Sequence, residues 1–370
     1  MAEPVLSPRA LNRALLQRQG LHERSKTPAL EMIERLVGMQ AQVPENPYVA
    51  LWSRLDGFRA EELSDLVAGR DVVRTPLMRA TIHLASARDC LRIQPLTSPV
   101  LAKLFRSQWE NGLAGVDLAE VLEAGVELLR EEPRTRAQLS ALLAPRWPQA
   151  DPLVLAYAVT LNLPLVQTPP RGLWNETGRP TWALAEQWLD GALDPTPSPD
   201  ELVLRYLAAF GPATVADIRI WSRLTGLRAV VDRLRPSLRT FRDERGRELL
   251  DVHDGPLPGP DVPAPPRFLP EYDNVLLSHD DRARVLVGLG PGLPYARGKW
   301  SGQLLLDGFV RAYWQITEED GVATLTVDRF TSAPGDSADA IEEISAEGER
   351  LLRFVAPQAG ERRVRFLPPA

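Results

Sequence analysis

The chain has 370 residues, 44% hydrophobic and 25% charged, with a formal net charge of −6 at pH 7. That length supports more than one hydrophobic core, and the single cysteine, Cys90, excludes an intramolecular disulfide and any cysteine zinc cluster. No apolar run approaches membrane-spanning length and the N-terminus has no signal-peptide pattern, so a cytoplasmic protein off the membrane is expected.

Ser7 before Pro8 reads as an N-cap opening a helix over 8–19 that Gly20 closes. A second helix is expected over 28–41, with Leu30, Ile33, Leu36 and Val37 on its apolar stripe and Gln40 at the next stripe position. Pro44 biases Val43 away from the α region, so Gln40 and Gln42 are expected at a helix end, where two amides can converge. The competing structural reading makes Gln40 a helix-packing glutamine and Gln42 a solvated terminus. Helices over 47–55 and 60–69 follow, then strands over 72–75 and 81–85 around Pro76-Leu77-Met78-Arg79. Helices followed by a short sheet suggest a winged-helix unit over 1–110.

The order recurs over 111–194. Helices are expected over 118–131, 135–143 and from Asp151-Pro152 to Leu161, then strands over 164–168 and 173–175 and a helix over 182–188. A third copy spans 200–254: a helix over 200–210, a second from the N-cap Thr214 to Gly226, a third over 227–234, and a hairpin of 238–241 with 247–252. Residues 255–270 read as a proline-rich connector. Beyond it, 271–370 is expected to be β-rich, with alternating stretches at 283–289, 302–316, 321–330 and 350–367 and one acidic helix at 337–352. The expected fold is therefore α+β, mainly α, with three tandem winged-helix units and a β-rich C-terminal part.

Lys and Arg slightly outnumber Asp and Glu over 1–110 and 201–261, while the remaining blocks are acidic, so non-specific polyanion affinity should be modest and salt-sensitive. Four histidines without a His-Glu-x-x-His pair give no catalytic metal site, and no Gly-x-Ser-x-Gly elbow occurs. Gly288-Leu289-Gly290-Pro291-Gly292 reads as a turn, because Pro291 removes a donor and no helix follows. A Schiff-base nucleophile would have to be Lys26, Lys103 or Lys299, and none lies in an apolar stretch. No cofactor or metal is expected.

Gln40-Ala41-Gln42 resembles the glutamine–hydrophobe–glutamine motif of the AlkZ-like DNA glycosylases. The segments 78–84, 268–282, 303–310 and 312–314 resemble that family too, in order along nearly the whole chain. The resemblance implies three tandem winged helices forming a concave DNA scaffold, excision of N7-alkylguanines without strand cleavage, and in some members unhooking of interstrand crosslinks made by alkylating natural products, a self-resistance activity. The related YcaQ-like branch carries an acidic residue at the second motif position. Gln42 stands there in this chain, nearer the AlkZ type.

The chemistry suits two amides. N7-alkylated guanine is cationic and leaves as a neutral base, so the protein must chiefly position water at the anomeric carbon as oxocarbenium character develops. Gln42 is expected to align that water, with Gln40 supporting the water or the deoxyribose. The partner expected is duplex DNA carrying alkylated guanine, bound by a monomer. Arg79, Arg171, Arg179, Arg242 and Arg245, near predicted hairpins or turns, are candidate DNA contacts, although each also reads as a solvated arginine. His83 is a structural strand residue or a support behind the glutamines. Asp273, Asn274 and His279 are expected to make turn and docking hydrogen bonds. A non-enzymatic winged-helix regulator is the alternative; it calls for a basic recognition helix, and 227–234 is only modestly basic.

Overall fold

Ser7 accepts the Ala10 amide at 3.2 Å and so caps α1 (Pro8–Arg18), which follows the short strand β1 (Val5–Leu6). The computed structural model describes residues 3–286, 300–330 and 338–367. The next helix departs from expectation. α2 spans only Ala29–Arg35, and Val37 and Gly38 both take positive φ, 55° and 82°. The Gly38 amide reaches the Ile33 carbonyl at 2.9 Å and the Val37 amide the Glu34 carbonyl at 3.0 Å, a Schellman closure. Gln40 is therefore on a strand, β2 (Met39–Gln40), rather than at the end of a helix over 28–41. Glycine is required at the turn, since a Cβ at position 38 would stand 3.0 Å from the Leu84 carbonyl oxygen.

α3 (Asn46–Arg54), α4 (Ala60–Ala68), β3 (Val72–Pro76) and β4 (Ile82–Ser86) follow close to their expected places. Ser86 then caps α5 (Ala87–Gln108), a 22-residue helix that sequence reading passed over. Pro95 and Pro99 lie inside it. Proline at 95 frees the Leu91 carbonyl, which instead accepts the Asp194 amide at 3.0 Å. α6 (Leu118–Glu131), β5 (Arg134–Thr135), α7 (Arg136–Leu143), α8 (Pro152–Asn162) and β6 (Leu165–Gln167) come next. The strand expected at 173–175 is absent; 171 and 173 share one isolated bridge. β6 pairs instead with β7 (Thr181–Leu184), and the helix expected over 182–188 shrinks to α9 (Ala185–Leu189). Trp182 and Ala183 are both buried, so β7 lacks the alternation that marks a one-sided strand.

α10 (Pro199–Phe210), α11 (Val215–Ser222), α12 (Leu227–Leu234), β8 (Leu238–Asp243) and β9 (Glu248–Val252) continue the chain. α11 stops short of Gly226, because Arg223 adopts a left-handed cap at φ 62°. The end of the proline-rich connector is itself a strand, β10 (Arg267–Pro270). After α13 (Asn274–Leu277) come β11 (Trp300–Leu306), β12 (Phe309–Glu319), β13 (Val322–Arg329), α14 (Ala338–Val355) and β14 (Glu361–Phe366). The 302–316 stretch is thus a hairpin turning at Asp307-Gly308, and α14 takes the first third of the 350–367 stretch. Of 283–289, 282–284 form a 3₁₀ turn and 287–289 lie outside the described residues, as does the Gly288–Gly292 turn.

Among the described residues the strands form three sheets. β2-β4-β3-β6-β7-β5 joins the first two expected units through one six-stranded sheet. β1-β8-β9 brings the N-terminus, parallel to β8, beside the third. β10-β11-β12-β13-β14 forms the C-terminal layer, antiparallel except for β13 with β14. Phe268, Trp314, Leu325 and Leu351 of this layer share one core with Ile33 and Leu51. Buried ion pairs fix the docking: Arg18 holds Asp251, and Arg54 grips Asp273 through bonds of 2.7 and 2.8 Å. The fold is α+β.

Candidate active site

β2 and β4 place Gln40 directly opposite His83. Between β3 and β4 the chain makes a tight 3₁₀ turn at Met78–Ala80, with Arg79 and Ala80 both left-handed at φ 59° and 58°. Two consecutive non-glycine residues in that region are uncommon. The turn brings Arg79 to the two paired strand residues. Its Nη2 donates to Gln40 Oε1 at 2.8 Å and to His83 Nε2 at 3.1 Å, while Nη1 donates to the Trp221 carbonyl at the end of α11 at 3.3 Å.

These bonds define the imidazole. His83 Nδ1 lies 2.9 Å from the Thr81 carbonyl, which can only accept, so the proton is on Nδ1 and the Nε2 lone pair receives Arg79. Burial, then the Arg79 charge, pushes the His83 pKa down to about 3. The ring is neutral at physiological pH. Arg79 is itself pushed down to about 10, first by burial and then by the nearby guanidiniums of Arg223 and Arg282. It stays charged, with neutral acceptors as its hydrogen-bond partners.

Asn274 closes the other side. Its Oδ1 accepts the Gln40 amide at 3.3 Å and its Nδ2 donates to the Gly38 carbonyl at 2.8 Å, so the side chain occupies the free edge of β2 as a neighbouring strand would. Asp273, which caps α13 and holds Arg54, sets that residue in place. His279 docks onto the Phe210 carbonyl at 3.1 Å.

Gln42 lies two residues beyond Gln40, and its Oε1 accepts the Ile82 amide at 3.3 Å, next to His83 on β4. Gln40 is only 8% exposed, whereas Gln42 is exposed. The two amides are therefore neighbours with unequal access: one holds an arginine, the other faces solvent. The Cys90 thiol is buried and pushed up to about 12 by that burial, which leaves it protonated and unreactive. Among the described residues no group of three His, Cys, Asp or Glu side chains gathers to hold a metal.

Of the five candidate DNA-contacting arginines, Arg79 reaches Gln40. Arg171 donates to the Gly178 carbonyl at 2.9 Å in the loop between β6 and β7, and Arg179 is exposed in the same loop. Arg242 pairs with Glu3 at 2.8 Å and Arg245 with Asp281 at 2.9 Å, both around the β8–β9 hairpin. Arg223 and Arg282 were missed by sequence reading; no local spacing ties them to residue 79.

The comparisons agree with this architecture. A solved structure, the DNA glycosylase AlkZ of Streptomyces sahachiroi, superposes with a TM-score of 0.77 at 20% identity, covering 98% of this chain and 100% of that one. An interstrand DNA cross-link repair glycosylase of Streptomyces sahachiroi is 25% identical over 347 residues, 84% of this chain and 88% of the relative. The family described as DNA glycosylase AlkZ-like matches residues 33–354, a span holding Gln40, Gln42, Arg79, His83 and Asn274, and the chain belongs to that family.

Proposed function

We propose that this protein is a monofunctional DNA glycosylase that hydrolyses the N-glycosidic bond of N7-alkylated guanine in duplex DNA. The observation that carries this reading is the placement of an exposed Gln42 amide beside the buried Gln40 and His83, which a half-buried Arg79 joins and whose imidazole is neutral. A cationic base leaves as a neutral molecule, so an aligned water and electrostatic support of the oxocarbenium-like sugar suffice. Gln42 Oε1 keeps a second lone pair beyond its bond to Ile82, and that lone pair accepts and aligns the water. Gln40 Oε1 is committed to Arg79, leaving its amide N–H groups for the water or the deoxyribose.

We read α6–α8 with β6–β7, and α10–α12 with β8–β9, as winged-helix units that with the first form a tandem cradle for the duplex. An open cradle admits a bulky or crosslinked base with little flipping, and the cross-link repair named for the relative supports unhooking as a second activity. Arg79, Arg171 and Arg179 would contact DNA directly, whereas Arg242 and Arg245 would first exchange Glu3 and Asp281 for phosphate. The chain acts as a monomer. Among the described residues no helix is long and apolar enough to cross a membrane.

Incubation with a duplex containing 7-methylguanine, with and without later alkali, tests the reading. Strand breaks only after alkali are expected. Breaks without alkali would make the enzyme a lyase, and binding without either would favour the regulator.

A further inference from the structure

Arg79, Arg223 and Arg282 come from three distant parts of the chain: the β3–β4 turn, the left-handed cap of α11, and the 3₁₀ turn after α13. Arg79 packs against α11 and bonds its Trp221 carbonyl, two residues before Arg223. The Asp280 amide, two residues before Arg282, donates to Asp217 Oδ1 on the same helix α11 at 2.9 Å, which brings Arg282 to this corner, where its charge acts on Arg79. Among the described residues none of the three forms an ion pair, whereas their neighbours Arg245 and Arg247 share Asp281. Arg223 is exposed and Arg282 half-buried, so both are open to a ligand.

Converging cations without a counter-ion destabilise one another, and they do so most where water is excluded. They would also oppose any positive charge developing on a bound sugar. A bound anion removes both penalties. Arginine suits a tetrahedral oxyanion, which offers oxygens to several N–H donors at once. The phosphodiesters flanking a nucleotide are attached to the same sugar whose glycosidic bond is cut.

We propose that Arg79, Arg223 and Arg282 form the clamp for the backbone phosphate adjoining the excised nucleotide, and that the phosphate is what makes this cationic site compatible with an oxocarbenium-like transition state. The assignment rests on the glycosylase reading above. Through Arg79 the clamp reaches Gln40 and His83, so seating the phosphate also seats the site.

The test uses the full chain with Arg223→Gln and Arg282→Gln, and Arg106→Gln, an exposed residue of α5, as a charge control. Affinity for duplex DNA is measured against salt, and single-turnover excision is measured on 7-methylguanine duplexes carrying one neutral methylphosphonate at, or several nucleotides from, the lesion. The double variant should lower the log–log salt slope by up to about 0.9, the share of the single phosphate the clamp neutralises, and each single variant should slow excision at least tenfold, with Arg→Lys restoring both. Methylphosphonate beside the lesion should slow wild type by a similar factor and leave the clamp variants little further affected. Unchanged slopes, or an additive methylphosphonate effect, with excision intact in wild type would overturn the clamp alone. Absence of excision in wild type would instead overturn the functional reading.

Discussion

Acid should loosen this protein at His83, by an amount the structure specifies. The ring is 1% exposed, donates from Nδ1 to Thr81 and accepts Arg79 at Nε2. A proton on Nε2 would face the Arg79 N–H at 3.1 Å, turning a hydrogen bond into a contact between two donors and two positive charges. The folded pKa is accordingly about 3, against 6.5 for the free side chain. The unfolded chain therefore takes up this proton first. The stabilisation from His83 is fully present above pH 6.5 and is lost progressively as pH falls from 6.5 towards 3. Between pH 6.5 and 4.5 the loss is about 2 kcal/mol, at about 1.4 kcal/mol per unit of pH well below the unfolded value, or roughly 30-fold in the unfolding constant. Urea unfolding at those two pH values, in wild type and in His83→Asn, isolates the effect, because each protein serves as its own reference and His279, also pushed down to about 3, remains in both. The variant should lose about 2 kcal/mol less than wild type on acidification. Equal losses in the two would refute the assignment of a buried imidazole held neutral.

Gln42→Ala should slow single-turnover excision at least tenfold while leaving the binding of undamaged duplex near wild type, because it removes the exposed acceptor and no DNA-facing charge; unchanged excision would dismiss it as the water-aligning group. Gln40→Ala removes an acceptor from the Arg79 guanidinium at 2.8 Å, and should cost about 1.5–3 kcal/mol of stability as well as excision. Urea midpoints give the first quantity and 7-methylguanine release the second. Asn274→Ala frees the Gln40 amide and the Gly38 carbonyl together and should lower stability by about 2 kcal/mol, with faster amide hydrogen exchange confined first to β2. Arg54→Leu strands Asp273 in the core, both being under 2% exposed in their side chains, and should cost about 3–5 kcal/mol by denaturant titration.

The sequence was most legible where the deciding interactions span only a few residues. Ser7 with Ala10, the box of Thr135 with Gln138, and that of Thr214 with Asp217 are local hydrogen bonds, and the helices they open start where expected. The β8–β9 hairpin was legible for the same reason. α5 was hidden by Pro95 and Pro99, whose cost is met partly by a bond from Asp194, about a hundred residues away and invisible to any local pattern.

The Gln-Ala-Gln motif shows the same division. Residue types and spacing singled out Gln40 and Gln42 as two amides near an expected helix end without deciding between a packing and a functional role, and it was the ordered segments across the chain that pointed to the family of glycosylases to which it belongs. The backbone beneath them was decided elsewhere. Val37, a β-branched residue that seldom adopts positive φ, turns left-handed because Gly38 can approach β4 and because Asn274 satisfies the edge of β2. The same long-range packing seats Arg79 on Gln40 and His83 and sets Arg223 and Arg282 beside it. Amide chemistry is written in the residue type, but access, partner and charge are properties of the surroundings, and those form only when separate segments pack together, as Asn274 does on Gln40 from 234 residues away.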